Sequence, residues 1–140
     1  MPELPEVETV KESLKLRLNN KKIIRTRVLW DNIIAYPIKE KFIKETANQS
    51  INDVKRRGKF LLFDLDDYYL LSHLRMEGKY FFKTKDDDIN KHEHVIFDLD
   101  DGSELRYMDT RKFGKMYLIK KEDIDKIGPL VELGLEPWDD

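Results

Sequence analysis

The chain has 140 residues, in which 26 Lys and Arg oppose 28 Asp and Glu, so the formal charge is −2. This length suits one domain of ordinary size. A hydrophobic share of 40% that includes seven Phe, six Tyr and two Trp excludes a disordered chain. No apolar run approaches the roughly 18 residues that span a bilayer, and residues 1–15 are too polar for a signal peptide. We therefore expect a folded cytoplasmic protein with no membrane contact.

Metal-binding side chains are scarce in this sequence. It contains no cysteine, and its three histidines are His73, His92 and His94. Disulfides and thiolate metal sites are therefore excluded, and a structural zinc site is not expected within these residues. We expect no cofactor in this chain.

The first predicted element is an amphipathic helix over residues 4–18. Its apolar side chains recur at steps of three and four, and Pro5 and the neighbouring glutamates suit a helix N-terminus. The residues at these steps are Leu4, Val7, Val10, Leu14 and Leu18. β-Branched and aromatic residues from 23 to 30 then predict a strand, and a short helix is expected at 40–47.

Strand patterns dominate from residue 50 onward, and the dipeptide Asp101-Gly102 is a strong signal for a tight hairpin. The predicted strands cover 51–56, 59–65, 68–75, 79–83, 93–99, 103–109 and 115–119, and a helix or turn is expected at 122–127. This order predicts an α+β fold that is mainly β. We expect a two-layer antiparallel β-sandwich with the N-terminal helix and one or two further short helices packed on it.

Charge is sorted along the chain despite the neutral total. Residues 11–27 carry seven Lys and Arg against one Glu, and residues 55–59 read KRRGK, whereas acid concentrates in residues 122–140 and in short clusters such as Asp98 to Asp101. A net charge near zero can therefore conceal a basic face that binds phosphates. Basic side chains that merely solvate a helix and a strand would give the same pattern.

The first six residues, MPELPE, are the most unusual feature. Initiator methionine is normally removed before a small residue, so the mature chain would begin at Pro2, whose secondary amine can attack an aldehyde-like carbon and form an iminium. The positive end of the predicted helix would favour the unprotonated amine, and Glu3 and Glu6 could divide acid and base duties. Two alternatives stand beside this interpretation. The same letters suit an ordinary capped helix start, and with Met1 retained Pro2 would be an amide nitrogen.

Cations lie beside a glycine at a strand end in three clusters: KRRGKF at 55–60, HLRMEGKY at 73–80 and RYMDTRKFGK at 106–115. A Met or Phe in such a position suits a wedge between stacked bases, because apolar atoms fill the stack while cations hold the backbone. The same residue types are common in cores. The candidate side chains are Lys59, His73, Arg75, Met76, Arg111, Lys112 and Phe113.

His92 and His94 flank Glu93 at the start of a predicted strand. We expect one of the two histidine side chains to be solvated and the other buried. His92 is a further candidate for a phosphate contact.

The chain closely resembles the N-terminal domain of formamidopyrimidine-DNA glycosylases in five stretches, in order and at the family's spacings: MPELPEVETV, RRGKFLLFDL, LLSHLRMEGKY, KHEHV and LRYMDTRKFG. The resemblance implies a catalytic domain over 1–133 and the start of an interdomain linker at 134–140. It implies that the family's second domain, with a helix-two-turn-helix and a zinc finger, is absent, so that zinc is expected only there.

The resemblance also implies an activity. Members of the family are bifunctional base-excision repair enzymes that remove 8-oxoguanine and formamidopyrimidines from double-stranded DNA and then cleave the backbone at the abasic site by β,δ-elimination. By matching position, Pro2 would attack C1′ and form the Schiff base, Glu3 would assist sugar-ring opening and proton transfers, and Glu6 would support the site. Lys59 would contact the phosphate beside the lesion. A monomer acting at the nucleoid is expected.

Further DNA contacts are implied in the same way. His73 would bind a second phosphate, Met76 would fill the space left by the flipped nucleotide, Arg111 would face the orphaned base and Phe113 would wedge into the opposite strand. Flipping is required because the glycosidic carbon is unreachable in a stacked duplex. The related endonuclease VIII group has a glycine where Leu4 stands and lacks this arrangement, so the oxidised-purine branch is favoured.

One departure from the family pattern lies in the third cluster, where Asp109-Thr110 replaces Asp-Pro and is expected to loosen the loop modestly. Two other functions stay open at this point. The chain could bind damaged or abasic DNA weakly without turnover, or it could be a non-enzymatic β-sandwich interaction domain that retains the motifs by descent.

Overall fold

The structure of the protein is a computed structural model that describes residues 4–57, 60–74, 78–112 and 114–123. The side chains of residues 4–10 and of Arg57 lie outside this description. The helices are α1 (Leu4–Leu18) and α2 (Lys39–Thr46), with short 3-10 turns at Asp31–Ile33 and Lys121–Asp123. The strands are β1 (Ile23–Val28), β2 (Ile34–Tyr36), β3 (Asp53–Arg57), β4 (Phe60–Asp64), β5 (Tyr68–His73), β6 (Lys79–Thr84), β7 (Glu93–Leu99), β8 (Ser103–Met108) and β9 (Lys115–Lys120).

The strands form two sheets, which confirms the predicted two-layer sandwich. One sheet has four strands in the order β1-β7-β8-β6, and the other has five in the order β2-β9-β5-β4-β3. Neighbouring strands pair antiparallel, except that the edge strand β2 pairs parallel with β9. The sequence did not predict β2, because three residues are too few to show an alternating pattern. The predicted strand at 23–30 ends earlier, at Val28.

The main core lies between the sheets, and a second apolar cluster lies on the other face of the five-stranded sheet. Phe63 and Leu61 of β4 belong to the main core, whereas Phe60 and Leu62 join the second cluster. Alternate side chains of β4 therefore point to opposite faces that are both buried. This explains why the β4 sequence, FLLFD, is apolar almost throughout and does not alternate with polar residues.

The two helices cover different edges of the sandwich. Helix α1 packs along β3 and against β4, buries Leu14 and Leu18, and places Lys15 Nζ 3.3 Å from Asp53 Oδ1 at the start of β3. Because the last turns of α1 lie beside the start of β3, its first turn is directed toward the Arg57 end. Helix α2 packs on β1, where the buried Thr46 hydroxyl donates to Thr26 Oγ1 at 2.7 Å.

The hairpin predicted at Asp101-Gly102 is confirmed between β7 and β8. Gly102 has φ +87°, a left-handed conformation that favours glycine. Asp101 Oδ1 accepts hydrogen bonds from the Ser103 hydroxyl at 2.6 Å and from the Ser103 backbone at 2.9 Å. These two bonds lower the pKa of Asp101 to about 2.

Helices that could cross a membrane were sought among the described residues, and none is long and apolar enough. The predicted helix or turn at 122–127 begins with the 3-10 turn Lys121–Asp123, and its remainder lies outside the described residues, as does the expected linker start at 134–140.

Candidate nucleic-acid interface

The described residues of the three predicted clusters meet at one end of the sandwich, which we call the loop edge. Strand pairing aligns the strand ends of each sheet there. The aligned residues are Phe60, His73 and Lys115 in the five-stranded sheet and Lys79, Met108 and Glu93 in the four-stranded sheet. The connections from β5 to β6 and from β8 to β9 cross between the sheets at this end.

Several of the predicted site residues lie outside the described residues. These are Pro2, Glu3, Lys59, Met76 and Phe113, together with the side chain of Glu6, whose backbone belongs to α1. The chain neighbours of three of them lie at the loop edge: Phe60 follows Lys59, Leu74 and Gly78 bracket the Met76 segment, and Gly114 follows Phe113. His73, His92, Arg111 and Lys112 are described.

His73 ends β5 and is half-buried. Its ring stacks on Phe60, with centroids 4.3 Å apart and planes inclined by 14°. The adjacent Ser72 is fully buried and accepts a hydrogen bond from the Tyr80 hydroxyl at 2.6 Å, which joins the two sheets beside His73. Burial raises the pKa of Tyr80 far above its usual range, although the bond to Ser72 works in the opposite direction. Tyr80 is therefore a neutral donor.

The loop from Asp109 to Gly114 is organised by the buried carboxylate of Asp109. Its Oδ2 accepts hydrogen bonds from the Tyr107 hydroxyl at 3.0 Å and from Gly114 N at 2.7 Å, and its Oδ1 accepts one from Lys112 N at 3.1 Å. Lys112 has φ +60°. With the carboxylate turned inward, Arg111 and Lys112 are exposed at the surface, as a phosphate-binding role requires.

The backbone of Asp109 is also held, by the histidine pair. Its N–H donates to the His92 carbonyl at 2.9 Å, and its carbonyl accepts from His94 Nε2 at 2.8 Å. Because a carbonyl oxygen can only accept, His94 carries its proton on Nε2. His94 is buried, as one member of the pair was expected to be, whereas His92 is half-buried and not fully solvated.

Trp30 lies beside this loop, a position that the sequence did not reveal. Lys112 Nζ lies 5.0 Å and Lys115 Nζ 5.8 Å from the Trp30 ring centroid, within cation–π range. Lys115 Nζ also donates to the Asn32 carbonyl at 2.7 Å, and the Trp30 and His94 rings are 5.5 Å apart. Trp30 therefore gathers two cations on one side of the loop edge.

A buried ion cluster holds the connection between β6 and β7, which carries His92. The Arg106 guanidinium, 1% exposed, donates to Glu93 Oε1 and Glu104 Oε1 at 2.9 Å each. It also donates to three carbonyls of the connection at 2.9–3.0 Å, those of Thr84, Asp87 and Asp88. Burial opposes the charged form of Glu93, but hydrogen bonds from Lys83 and Arg106 outweigh it and lower the pKa of Glu93.

Metal ligation was tested on the side chains present. Among the described residues, no group of three or more His, Cys, Asp or Glu side chains is placed to hold a metal ion, and the sequence has no cysteine. The donors that the described residues bring together do not fit a zinc finger.

Comparison with solved structures identifies the class of this fold. The structure matches the crystal structure of Lactococcus lactis Fpg in complex with FAPY-dG-containing DNA with a TM-score of 0.82 and 40% sequence identity, covering 87% of this chain and 46% of that one. It matches the same protein in complex with abasic-site DNA with a TM-score of 0.82 and 40% identity, over 88% of this chain and 46% of that one. The fold therefore belongs to the class of Fpg proteins and corresponds to about half of the Lactococcus lactis chain.

Sequence comparison then identifies the family. Residues 1–116 match the model of the formamidopyrimidine-DNA glycosylase N-terminal domain. The formamidopyrimidine-DNA glycosylase of Shouchella clausii is 51% identical over 139 residues, which are 99% of this chain and 50% of that protein. The chain belongs to the formamidopyrimidine-DNA glycosylase family, which confirms the resemblance, and it spans about half the length of the curated relatives it matches.

Proposed function

We propose that this chain is the catalytic N-terminal domain of a bifunctional DNA glycosylase and AP lyase that acts on double-stranded DNA carrying an oxidised purine or an abasic site. The observation that carries the proposal is the loop edge, where both sheets end together and present exposed cations beside the chain neighbours of Lys59, Met76 and Phe113. The names of the relatives and the damaged DNA in the Lactococcus lactis complexes support it.

The proposed chemistry begins at Pro2. Its ring nitrogen attacks C1′ of the damaged nucleotide, the base departs with the electrons of the glycosidic bond, and the sugar ring opens to leave an iminium joined to Pro2. Glu3 supplies the proton to the ring oxygen and assists later proton transfers, and Glu6 supports the site. The iminium acidifies C2′, so that loss of a proton there expels the 3′ phosphate, and the δ step then expels the 5′ phosphate.

Binding of the duplex is assigned to the same edge. Lys59 and His73 take phosphates beside the lesion, and Lys112 and His92 take further backbone contacts. Met76, Arg111 and Phe113 fill the gap that the flipped nucleotide leaves. The exposure of Arg111 and Lys112 above the inward-facing Asp109 carboxylate supports this assignment.

Family membership supports the wider organisation that we propose. We assign residues 1–133 to the catalytic domain and 134–140 to the start of a linker. In the whole protein, a helix-two-turn-helix and a zinc finger would add grip on the duplex, and zinc would belong to that second domain. The protein would be a cytoplasmic monomer that works at the nucleoid.

Borohydride trapping tests the proposal directly. The chain is incubated with an 8-oxoguanine duplex and with an abasic duplex, the iminium is reduced, and the covalent adduct is measured. A Pro2→Glu variant retains Met1, because methionine is removed only before small residues, so its amine is displaced by one residue. We expect the adduct to disappear in Pro2→Glu and to persist in the matched control Pro5→Ala.

Three results separate the alternatives. An intact mass lower than the full chain by one methionine shows that Pro2 is free. A salt-dependent gel shift without any adduct, from a chain whose Pro2 is free, indicates binding without turnover and contradicts the enzymatic proposal for this chain. No binding at low salt contradicts both and favours an interaction domain.

A further inference from the structure

We propose that Tyr107 and Asp109 form a positioning unit that couples Gly78, which follows the segment 75–77, to Lys112 and Gly114 of the segment 110–114. The inference rests on the proposed function, because these segments carry Met76, Arg111 and Phe113. Tyr107 and Asp109 do not touch DNA in this scheme. They fix the ends of the two segments that do.

Burial sets the unit apart from the surface loops around it. Tyr107 and Asp109 are each 0% exposed. The Tyr107 ring lies 5.1 Å from that of Tyr80 between the sheets, and its hydroxyl donates to Asp109 Oδ2. Burial, and then the neighbouring Tyr80 and Asp109, raise the pKa of Tyr107 far above its usual range, so the hydroxyl keeps its proton and remains a donor.

Two glycines show that the Tyr107 hydroxyl lies against both segments. A Cβ at Gly78 would stand 2.4 Å from this oxygen, and a Cβ at Gly114 would stand 1.8 Å from it. Contacts this short are impossible for real side chains, and neither glycine has a positive φ. Glycine is therefore required at these two positions because the hydroxyl approaches both backbones.

Each segment is then closed on the unit by backbone hydrogen bonds. Gly78 N donates to the Leu74 carbonyl at 3.0 Å, so the two residues that flank 75–77 are bonded to each other. On the other side, Lys112 N and Gly114 N donate to the two oxygens of Asp109. A displacement of Gly78 toward Tyr107 therefore reaches Gly114 and Lys112 through one hydroxyl and one carboxylate.

Coupling of this kind has a use in base flipping. The gap in the duplex must be filled from both strands as the nucleotide leaves, and unstacking costs a few kcal/mol. Two segments whose flanking residues are already held at a fixed separation can fill the gap together. The unit thus supplies preorganisation, and its loss would matter most for a lesion that is still stacked and paired.

Amide hydrogen exchange in the free protein tests the coupling without DNA. Gly78→Ala places a methyl group against the Tyr107 hydroxyl and the Leu74 carbonyl, so we expect faster exchange at Lys112 and Gly114 as well as around Gly78. In a Tyr107→Phe background the transmitting hydroxyl is gone, and the effect of Gly78→Ala should stay within 74–78. Unchanged rates at Lys112 and Gly114 in the Gly78→Ala variant, or equal changes in both backgrounds, would overturn the proposal.

Gly102→Ala is the matched control. It is strained by φ +87° but has nothing within 4 Å of its Cβ, and it lies at the far end of β8. It should leave Lys112 and Gly114 unchanged. If Gly78→Ala does not fold, Tyr107→Phe alone decides: loss of one buried hydrogen bond should speed exchange at Gly114 by about 2- to 10-fold, and no change would contradict the unit.

A second readout separates this inference from the proposed function. The rate of 8-oxoguanine excision and the rate of trapping at a preformed abasic site are measured for Tyr107→Phe and for the unaltered chain. The ratio of the excision rate to the trapping rate is then compared between the two proteins. We expect the ratio to fall several-fold in Tyr107→Phe, because an abasic site has no base to unstack; an unchanged ratio would contradict the use in flipping. If the unaltered chain does neither reaction, the proposed function fails while the exchange experiment still decides the coupling.

Discussion

The two ends of the sandwich are held by different kinds of contact. At the end opposite the loop edge, which we call the acidic edge, the turns carry Asp66, Asp67, Asp100 and Asp101, and they are closed by exposed hydrogen bonds. Asp101 bonds Ser103, two residues along the chain, and pairs with Lys21 at 3.1 Å. At the loop edge, the buried Asp109 carboxylate bonds Tyr107, Lys112 and Gly114, and its backbone bonds the His92 carbonyl and the His94 ring.

The difference between the two edges shows how a nearly neutral protein can present a phosphate-binding surface. Acidic side chains occupy exposed turns at one end, and the exposed cations Arg111 and Lys112 occupy the other. Separation of charge along the sandwich orients a polyanion as it approaches. The net charge of −2 averages over this separation and hides it.

The largest effect is expected at Arg106, a buried side chain that holds several groups at once. Arg106→Met removes the guanidinium that pairs with Glu93 and Glu104 and holds the carbonyls of the β6–β7 connection. It removes one partner from each of two buried carboxylates and leaves Glu93 with Lys83 and Glu104 with Arg27. We therefore expect a loss of about 3–5 kcal/mol in the free energy of unfolding, measured with urea. Arg25→Met is the control, since Arg25 is 64% exposed in its pair with Asp98, and should cost about 0–1 kcal/mol. Equal losses would show that burial does not distinguish the two pairs.

Acid should weaken the same cluster. Because the folded state lowers the pKa of Glu93, ionised Glu93 stabilises the fold above the unfolded carboxyl value of 4.5. That contribution is lost progressively as the pH falls below about 4.5 and through the folded pKa. Urea midpoints between pH 7 and pH 3 should therefore fall more steeply for the natural chain than for Glu93→Gln. Parallel pH profiles would contradict the assignment.

DNA binding tests whether the phosphate contacts lie at the loop edge. Lys59→Ala should weaken binding to every duplex, and the slope of log K against log salt should lose about 0.9, the share of one phosphate contact. Lys41→Ala is the matched control, because Lys41 is exposed on α2 away from the loop edge. The slope is measured by fluorescence anisotropy on damaged and undamaged duplexes. The same slope for Lys59→Ala as for the natural chain would remove Lys59 from the interface.

The smallest effect concerns the loop at Asp109. Lys112 N donates to the Asp109 carbonyl at 3.3 Å, so Thr110 occupies the second position of a turn, where proline is favoured. Thr110→Pro should stabilise the protein by about 0.4–1 kcal/mol by restricting the unfolded chain. The change in melting temperature is measured by thermal unfolding. Ser103→Ala, which removes a local hydrogen bond of the acidic edge, is measured beside it for comparison. Thr84→Pro is unsuitable as a control, because Thr84 N donates to Asp87. A lower melting temperature for Thr110→Pro would show that Thr110 does not loosen the loop.

The elements that sequence predicted well are those with a local pattern. Apolar residues at steps of three and four predict α1, and alternation or apolar runs predict the longer strands. The dipeptide Asp101-Gly102 predicts the hairpin. The sequence does not predict strand β2, because its partner β9 lies far along the chain and its own three residues show no periodic pattern. The positions of the loop-edge segments could also be predicted, because cations and glycines mark them in the sequence.

What supports those segments could not be predicted, since it depends on contacts between distant residues. Gly78 and Gly114 looked like turn glycines, but the structure shows that they make room for Tyr107. Trp30 looked like a strand residue and lies instead beside Lys112. Arg106 looked like one more cation, although it is buried and paired inside the sandwich. Such roles arise from the fold as a whole.

The hairpin tip at Gly102 has a practical consequence. Space around this residue is open, and its turn is closed by the bond from Gly102 N to the Leu99 carbonyl and by those from Ser103 to Asp101. It stands at the far end of β8 from Asp109. Exposed loop tips with local bonding are the sites where proteins accept inserted sequence. A fluorophore tag or a tethering peptide placed there would leave the opposite end clear, so that single molecules could be held and watched while they meet DNA.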